Sequence, residues 1–266
     1  MILRQVETNK DEEPFVLEDF DNLLLKRRGY SFRIPSANEG VVFIVSGGLD
    51  STISLARVLD NLECQVYPLY VQRGARSETA ELSSVNHYIS IFKKKYPRLH
   101  SLEILKADVP PRSFKSHIPN ERLAHVGHPM RNAILQSYGI QYAVAVSNRD
   151  LINIKTVFTA ISPNDMFPHC SLVALRAETV LACIDSGDWT WQVTSPLLEE
   201  GLWGTVSKSD AITYAFSHNI NLAMTYTCTQ TGEKACGICP ECRMRLDAFR
   251  VSGHEDPIEY CDNSNK

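Results

Sequence analysis

One stretch near the start of the chain combines a buried strand, two adjacent glycines and the beginning of a helix. The apolar run over residues 41–45 is rich in valine and predicts a buried β-strand. The residues that follow it are Ser46, Gly47, Gly48, Leu49, Asp50, Ser51 and Thr52. The glycines allow a tight turn and a close approach of the backbone to a ligand, and the free N–H groups of a helix starting near Leu49 would face that ligand. The stretch therefore predicts an anion-binding site in an α/β fold.

The loop differs from a Walker-type phosphate loop. That motif requires a lysine followed by serine or threonine after its last glycine, and no such lysine follows Gly48. A plainer interpretation remains open: a glycine turn between a core strand and a helix, in which Asp50 and Ser51 only cap the helix. The full seven-residue pattern after a buried strand favours the anion site.

The other strong pattern lies near the C-terminal end and consists of four cysteines. They are Cys228, Cys236, Cys239 and Cys242, of which the last three are separated by two residues each. Four thiolates at this spacing predict one tetrahedral Zn²⁺ with no position left for water, which is typical of a structural site. Two other interpretations are disulfides, which the absence of a recognisable secretory signal disfavours, and a C-x-x-C redox pair, which would not need the two outlying cysteines.

Charge and cysteine content narrow the classes of function. The formal net charge of −4 disfavours broad nucleic-acid binding and favours a small ligand. No apolar run approaches the length of a membrane span, and eight cysteines without a secretory signal indicate a reducing compartment. We therefore expect a cytoplasmic protein that binds no membrane and for which nucleic acid is an unfavoured partner.

Alternating strands and helices predict a parallel sheet. A strand over 41–45, a helix over 51–61 and a strand over 64–71 form a βαβ unit. The remaining predicted elements are helices over 77–95 and 131–138 and strands over 100–105, 141–147 and 191–194. We expect a Rossmann-like parallel sheet with helices on both faces and a small C-terminal zinc lobe. The expected division is an N-terminal extension over 1–39, a catalytic domain over 40–220, and a zinc-binding lobe and tail over 221–266.

The motifs together carry a family resemblance. The loop over 46–52 resembles the pyrophosphate loop of the ATP-pyrophosphatase (PP-loop) superfamily, whose members split ATP between its α and β phosphates and transfer AMP. From about residue 40 to 249 the order of motifs resembles the 7-cyano-7-deazaguanine synthase (QueC) family. The further matching stretches are residues 69–78, 129–132, 195–197, 207–210 and 242–249. The resemblance implies a PP-loop type of fold in which the domain over 40–220 binds ATP.

The resemblance also implies an activity. In that family, ATP adenylates the carboxylate of 7-carboxy-7-deazaguanine, ammonia displaces AMP to give an amide, and a second activation gives the nitrile. This chain is accordingly expected to be an ATP-dependent ligase that forms C–N bonds in queuosine biosynthesis and releases AMP and pyrophosphate. The implied cofactors and partners are ATP, Mg²⁺ and Zn²⁺, a deazapurine substrate and a second copy of the chain in a homodimer.

The resemblance assigns roles to individual residues. Those that would hold ATP are Ser46, Gly47, Gly48, Leu49, Asp50, Ser51, Thr52, Tyr70 and Arg73. Those with catalytic roles would be Asp50, Lys208 and Arg131, and those near the substrate would be Asn132, Asp165 and His169. Plainer interpretations also exist: Lys208 as a solvated lysine at a helix start, Arg73 paired with Glu78 or Glu81, and His169 as a structural histidine.

The chain departs from the family over residues 164–171, where the family's second acid and an arginine are missing. This difference motivates an alternative function, in which a defence-associated QueC-like enzyme joins the activated deazaguanine to an amine of a partner protein encoded nearby. Some QueC-like proteins occur in bacterial antiphage (antiviral) defence operons. A third hypothesis is a zinc-knuckle protein that binds and modifies tRNA, supported by Arg243, Arg245 and Arg250 beside the cysteines.

Overall fold

The computed structural model describes residues 13–120, 123, 127–165, 167–230, 232 and 234–261. The strands are β1 (Glu39–Ile44), β2 (Gln65–Gln72), β3 (Glu103–Lys106), β4 (Asn153–Thr159) and β5 (Gln192–Thr194). The helices are α1 (Glu13–Arg28), α2 (Leu49–Asn61), α3 (Glu78–Lys95), α4 (Arg112–Lys115), α5 (Arg131–Asp150), α6 (Leu172–Ser186), α7 (Lys208–Ser217) and α8 (Pro240–Ser252). None of these described helices is both long and apolar enough to cross a membrane. The first twelve residues of the predicted N-terminal extension and the last five of the predicted lobe lie outside the described residues.

The five strands are parallel and follow the order β3-β2-β1-β4-β5. Side chains of β1 alternate between two apolar clusters: Val41 and Phe43 pack with α2 and α3, whereas Val42 and Ile44 pack with α5 and α6. Because both faces of the sheet are covered, the buried positions 41–44 of the strand are all apolar, which accounts for the uninterrupted run in the sequence. The predicted Rossmann-like parallel sheet with helices on both faces is confirmed.

A third apolar cluster joins the end of the sheet to the C-terminal part of the chain. It contains Leu49 and Ile53 of α2, Ile212 of α7 and Phe249 of α8. This packing places the first turns of α2 and α7 next to each other. Residues far apart in sequence thus meet beside the glycine loop.

The predicted strand over residues 141–147 is wrong, because these residues lie inside α5. Ala143 and Val146 are buried, whereas Val144 between them is exposed. Burial at a spacing of three residues is typical of one face of a helix, and this face packs against the sheet. Helix α5 therefore continues to Asp150 instead of ending near residue 138. The next strand is β4, which the sequence patterns did not indicate, whereas the predicted strand over 191–194 is confirmed as β5.

Helix α1 packs against α6. Arg176 of α6 forms ion pairs with Asp21 of α1 and with Glu199, which follows β5. Its Nε donates to Asp21 Oδ1 of α1 at 2.7 Å, and its two terminal nitrogens donate to Glu199 at 2.9 and 2.8 Å. Thr194 Oγ1 at the end of β5 also donates to Glu199, at 2.6 Å. Arg176 and Glu199 are only 3% exposed. This network holds residues 13–28 firmly against the domain.

We expect Arg176→Leu to lower the free energy of unfolding by roughly 3–5 kcal/mol, because the change would leave Glu199 as a buried, unpaired charge. Urea unfolding followed by circular dichroism would measure the loss. Arg250→Leu is a suitable control, since Arg250 pairs with Asp247 on the surface and such pairs contribute about 0–1 kcal/mol. Equal losses in the two variants would contradict the importance of the buried network.

Candidate active site

The glycine loop lies at the carboxyl end of β1. In the strand order, β1 is the point where successive connections reverse direction, with β2 on one side and β4 on the other. In open parallel sheets the crevice outside such a reversal is the usual ligand site. The loop after β1 meets the loop after β4 there; the first leads into Asp50 in the first turn of α2, and the second carries Asp165.

The backbone of the loop is shaped to expose N–H groups. Gly47 has φ +73°, and Gly48 is the residue before α2, which begins at Leu49 as predicted. The Ser46 N–H donates to Ser51 Oγ at 3.0 Å. The first turn of α2 leaves its backbone N–H groups without partners inside the helix, so they are available to an anion.

Gly47 also sits too close to α3 for any larger residue. An added Cβ would lie 2.5 Å from the carbonyl oxygen of Glu81. The carbonyl of Gly47 accepts bonds from the Ser84 hydroxyl at 2.7 Å and from the Tyr226 N–H at 2.9 Å. The loop is thus fixed both to α3 and to the segment that leads into the cysteine cluster.

Gly47→Ala is expected to cost more stability than Gly187→Ala. Both glycines have positive φ (+73° and +66°), where alanine costs about 1–2 kcal/mol, but space within 4 Å of the Gly187 Cβ position is open. Only the Gly47 variant adds a clash with backbone, so its melting temperature should fall further and its loop should bind ATP more weakly. Thermal unfolding and nucleotide titration would measure both; equal effects in the two variants would contradict this reading of the loop.

Lys208 is the first residue of α7 and is buried, with 8% exposure. Its ammonium group contacts the carboxylate of Asp50 and lies 3.1 Å from Asp165 Oδ1. Burial alone would lower the pKa of Lys208, but the charges of Asp50 and Asp165 outweigh it and raise the pKa. The interpretation of Lys208 as a solvated surface lysine is therefore wrong.

Local structure explains the position of this lysine. Ser207 and Asp210 form a capping box that fixes the start of α7. The Lys208 N–H donates to Asn164 Oδ1 at 2.9 Å, and the Ser162 N–H donates to Asp165 Oδ2 at 3.0 Å. The loop after β4 thus orients both the lysine and its second carboxylate.

Arg73 follows β2 and forms a paired contact with Glu81 of α3, at 2.7 and 2.9 Å. The hydroxyl groups of Tyr70 and Ser77 donate to the same carboxylate at 3.2 and 2.6 Å. The expected pairing of Arg73 with a glutamate of the next helix is confirmed for Glu81. The pair is largely buried and lies at the cleft rather than on the outer surface.

These elements enclose a cleft of about 280 Å³. The predicted site residues that line it are Ser46, Gly48, Leu49, Asp50, Ser51, Arg73, Arg131, Asp165, Lys208 and Cys228. Those outside its lining are Gly47, Thr52, Tyr70, Asn132, His169, Cys236, Cys239 and Cys242. Sequence reasoning named Glu81 only as an ion-pair partner of Arg73 and Arg245 only in support of tRNA binding. The other lining residues, which it did not select, are Ala160, Tyr226, Thr227, Thr229, Glu241 and Met244. Predicted residues that follow β1, β2 and β4, or that begin α2, α5 and α7, therefore lie together in one cleft.

Arg131 begins α5 and is the cleft's guanidinium without an ion pair among the described residues. Burial is the main cause that lowers its pKa, and the positive charge of Arg73 acts in the same direction. The charges of Glu81 and Glu241 act weakly in the opposite direction. Arg131 thus presents a partly desolvated positive charge to whatever enters the cleft.

Asn132 and His169 lie together behind this lining. The Asn132 side chain donates to the His169 carbonyl at 3.4 Å, and the His169 ring stacks on Phe167 with centroids 5.4 Å apart. These contacts join the start of α5 to the loop after β4. Their predicted contact with a substrate remains a prediction.

The four cysteines form a compact cluster that borders the cleft through Cys228. Their sulfur atoms all lie within 4.8 Å of one another. Burial opposes ionisation of Cys236, but N–H groups of Ile238 and Cys239 outweigh it and lower the pKa of this thiol, whereas burial raises the pKa of Cys228 and Cys242. The case for a metal therefore rests on the convergence of four sulfur atoms. Thiolates are the form that binds metals, so the cluster is suited to hold a metal ion.

Arg245 of α8 links this cluster to the cleft. It pairs with Asp256 at 2.8 Å through two nitrogens and donates to Thr225 Oγ1 at 2.7 Å. Sequence reasoning named Arg245 only in support of tRNA binding, although its position three residues after Cys242, on the helix that carries the cysteine, is a signal for the site. Glu241, Thr227 and Thr229 are also direct sequence neighbours of cluster cysteines, but their proximity to the glycine loop depends on tertiary packing.

Comparisons with known proteins identify the family to which the chain is similar. The model of the family described as "Queuosine biosynthesis protein QueC" matches residues 40–253. The 7-cyano-7-deazaguanine synthase of Acetivibrio thermocellus is 30% identical over 237 residues, covering 84% of this chain and 98% of that protein. The synthase of Desulfitobacterium hafniense is 28% identical, covering 85% and 94%.

Among solved structures, an NH3-dependent NAD synthetase from Campylobacter jejuni aligns with 79% of this chain and 74% of its own. Its TM-score of 0.38 and 16% identity are too low to inform function. The family match is decisive by contrast, because it spans most of the chain and includes both the glycine loop and the cysteine cluster. The chain therefore belongs to the QueC family.

Proposed function

We propose that the protein is an ATP-dependent ligase that adenylates the carboxylate of 7-carboxy-7-deazaguanine and then transfers the acyl group to an amine. The observation that carries this proposal is the position of Lys208, buried between Asp50 and Asp165 at the exposed N–H groups of the glycine loop. Family membership and the curated synthases support the choice of substrate.

The proposed first step explains why these groups are needed. A carboxylate is a poor acyl donor, because its leaving group would be oxide. Its oxygen attacks the α-phosphorus of ATP, the bond from that phosphorus to pyrophosphate breaks, and pyrophosphate leaves with the electron pair. The loop N–H groups bind the departing pyrophosphate, and Lys208 neutralises charge that builds at the α-phosphate. Arg131 would hold the carboxylate in place.

A magnesium ion fits the acidic side of the cleft. Asp50 Oδ1 is buried and has no hydrogen-bond partner, although Oδ2 contacts Lys208. Hard cations such as Mg²⁺ prefer carboxylate oxygens and phosphate ligands. Asp50 would hold the ion, which would supply further charge neutralisation for the triphosphate.

Asp165 has a different role from the one that the family resemblance suggests. Both of its oxygens already have partners: Oδ1 lies near Lys208, and Oδ2 accepts from the Ser162 N–H. Each carboxylate oxygen can accept about two hydrogen bonds, so these contacts already take up about half of the capacity of Asp165. We therefore propose that Asp165 positions Lys208 and that other groups recognise the base.

Zinc is the metal that fits the cysteine cluster best. Zn–S bonds of about 2.3 Å in a tetrahedron place the sulfur atoms about 3.8 Å apart. The sulfur atoms here lie within 4.8 Å of one another, and those of Cys236 and Cys242 are 3.9 Å apart. In a four-iron cluster each cysteine binds a different iron, which requires wider spacing. Four sulfur ligands leave no open position, so the ion would stabilise the lobe rather than act on substrate.

The test is mass spectrometry of reactions that contain purified protein, ATP, Mg²⁺, 7-carboxy-7-deazaguanine and ammonium, with Asp50→Ala as the control. We expect AMP and a nitrile product from the natural sequence and at most traces from the variant. AMP with product that stops at the adenylate or amide would favour an acceptor amine on a partner protein. Absence of substrate-dependent AMP formation would contradict the proposal, and tRNA binding that weakens steeply with salt would then favour the tRNA alternative.

A further inference from the structure

The charges that line the cleft are almost all paired with one another. Its carboxylates are Asp50, Glu81, Asp165 and Glu241, and its cations are Arg73, Arg131, Lys208 and Arg245. Lys208 forms ion pairs with Asp50 and Asp165, and Arg73 forms one with Glu81. Arg245 pairs with Asp256, which lies after α8. Among the described lining residues, this leaves one cation, Arg131, and one carboxylate, Glu241, without an ion pair.

Glu241 is held at the cleft by its place in the fold. It lies in the first turn of α8, between Cys239 and Cys242, so the cysteine cluster fixes the backbone on either side of it. Its side chain is half-buried, and among the described residues its carboxylate accepts a weak hydrogen bond from Thr229 Oγ1 at 3.4 Å. The carboxylate is therefore positioned by rigid backbone yet retains acceptor capacity for a ligand.

The two unpaired charges differ in sign, and the proposed reaction brings two oppositely charged reactants into the cleft. One is the deazaguanine carboxylate, and the other is an amine, which is mostly cationic at neutral pH. A carboxylate binds a primary ammonium group through charge-assisted hydrogen bonds. Repulsion between like charges would keep the carboxylate substrate away from Glu241 and the amine away from Arg131. Each reactant would therefore bind at the residue of opposite charge.

We propose that Glu241 is the binding residue for the cationic amine that attacks the acyl adenylate, while Arg131 holds the acyl end. This inference rests on the proposed function. In the transfer step the amine, after losing one proton to solvent, forms a bond from nitrogen to the acyl carbon. The bond from that carbon to the AMP oxygen breaks, AMP leaves with the electron pair, and a second proton passes from nitrogen to solvent. The amine is ammonium or the amino group of a peptide, because both present the same charged group.

The test compares cationic with uncharged nucleophiles. Acyl transfer would be measured at about pH 7 with ammonium, glycinamide and hydroxylamine, because α-amino groups remain mostly protonated there, whereas hydroxylamine is mostly uncharged. In Glu241→Gln we expect the ratio of kcat/KM for ammonium to that for hydroxylamine to fall about tenfold, the scale expected for a lost charge-assisted hydrogen bond. Glu241→Asp should restore much of the ratio. Glu255→Gln, an exposed glutamate in the same lobe, is the matched control and should keep it.

Each outcome has a distinct meaning. A lower ratio in Glu241→Gln but not in Glu255→Gln supports the inference, and the cationic amine that reacts at the lower concentration identifies the acceptor as ammonia or a peptide amine. An unchanged ratio overturns the inference, as does a natural-sequence enzyme that accepts hydroxylamine but neither cationic amine. The proposed function fails separately, if no ATP–pyrophosphate exchange depends on 7-carboxy-7-deazaguanine in the natural sequence.

Discussion

Replacing Lys208 by methionine is expected to reduce ATP–pyrophosphate exchange dependent on 7-carboxy-7-deazaguanine by roughly 10²- to 10³-fold, the usual cost of one lost charge-stabilising donor. The ammonium group of Lys208 lies beside Asp50, at the loop proposed to bind pyrophosphate, and methionine, one atom shorter, keeps most of the unbranched side chain without its charge. Negative charge that builds at the α-phosphate would then have no fixed cation opposite it.

The same substitution leaves two carboxylates close together without their shared cation, so stability must be separated from catalysis. Asp50 and Asp165 would repel each other and would bind protons more tightly, because nearby like charges disfavour ionisation. A double variant, Lys208→Met with Asp165→Asn, removes that repulsion. We expect it to melt nearer the natural protein and still to lack exchange. Recovered exchange in the double variant would show that Lys208 serves only to neutralise Asp165.

Lys208→Arg offers a second comparison. Arginine keeps the charge, but its planar guanidinium needs more space than an ammonium group held between two carboxylates. Partial exchange in this variant, with none in Lys208→Met, would place the requirement on the charge itself. Full exchange in Lys208→Met would contradict the role proposed for this lysine.

The part of the site that sequence predicted well is the part built from contiguous residues. The valine-rich run, Gly47 and Gly48 determine a strand, a turn and a helix start within about a dozen residues, so local physics suffices. The cysteines are similar, because the spacing of the last three already places them around one point.

The predictions failed where local pattern and tertiary packing disagree. Residues 142–146 form a short apolar run that resembles a buried strand, but α5 needs only Ala143 and Val146 to face the sheet. Strand β4 has charged and polar residues at its start, such as Asn153 and Lys155, which weakened its signal. Short segments of this kind do not separate helix from strand without knowledge of the surface that they pack on.

The missed cleft residues have a related explanation. Glu81 and Glu241 come from α3 and α8, which approach the glycine loop only after the sheet and the C-terminal part have assembled. Before that, each is an ordinary acidic residue in the first turn of a helix, where such residues are common. What distinguishes them is their partners: Arg73 neutralises Glu81, whereas Glu241 has no ion pair among the residues that the structure describes.

Disrupting the cysteine cluster is expected to have a large effect on stability, comparable in importance to the effect of Lys208→Met on exchange. The lobe has a small core, composed mainly of Cys228, Ala235, Cys239 and Cys242 with a few partly buried neighbours. Such a core stabilises little without metal, whereas structural zinc contributes on the order of 10 kcal/mol, comparable to the stability of a whole domain. We therefore expect Cys242→Ser to unfold the lobe, and elemental analysis to find one zinc per chain in the natural protein and almost none in the variant.

Loss of the lobe should reach the reaction as well. The Tyr226 N–H donates to the Gly47 carbonyl, so an unfolded lobe would release the glycine loop. Because Glu241 and Arg245 line the cleft, the site would also open to water. In the variant, both the rate of ATP–pyrophosphate exchange and the temperature at which unfolding begins should be lower than in the natural protein. Cys261→Ser is the matched control, because Cys261 is exposed and lies outside the cluster. A Cys242→Ser protein that melts and exchanges like Cys261→Ser would contradict a structural metal, and visible absorbance from iron in the natural protein would contradict zinc.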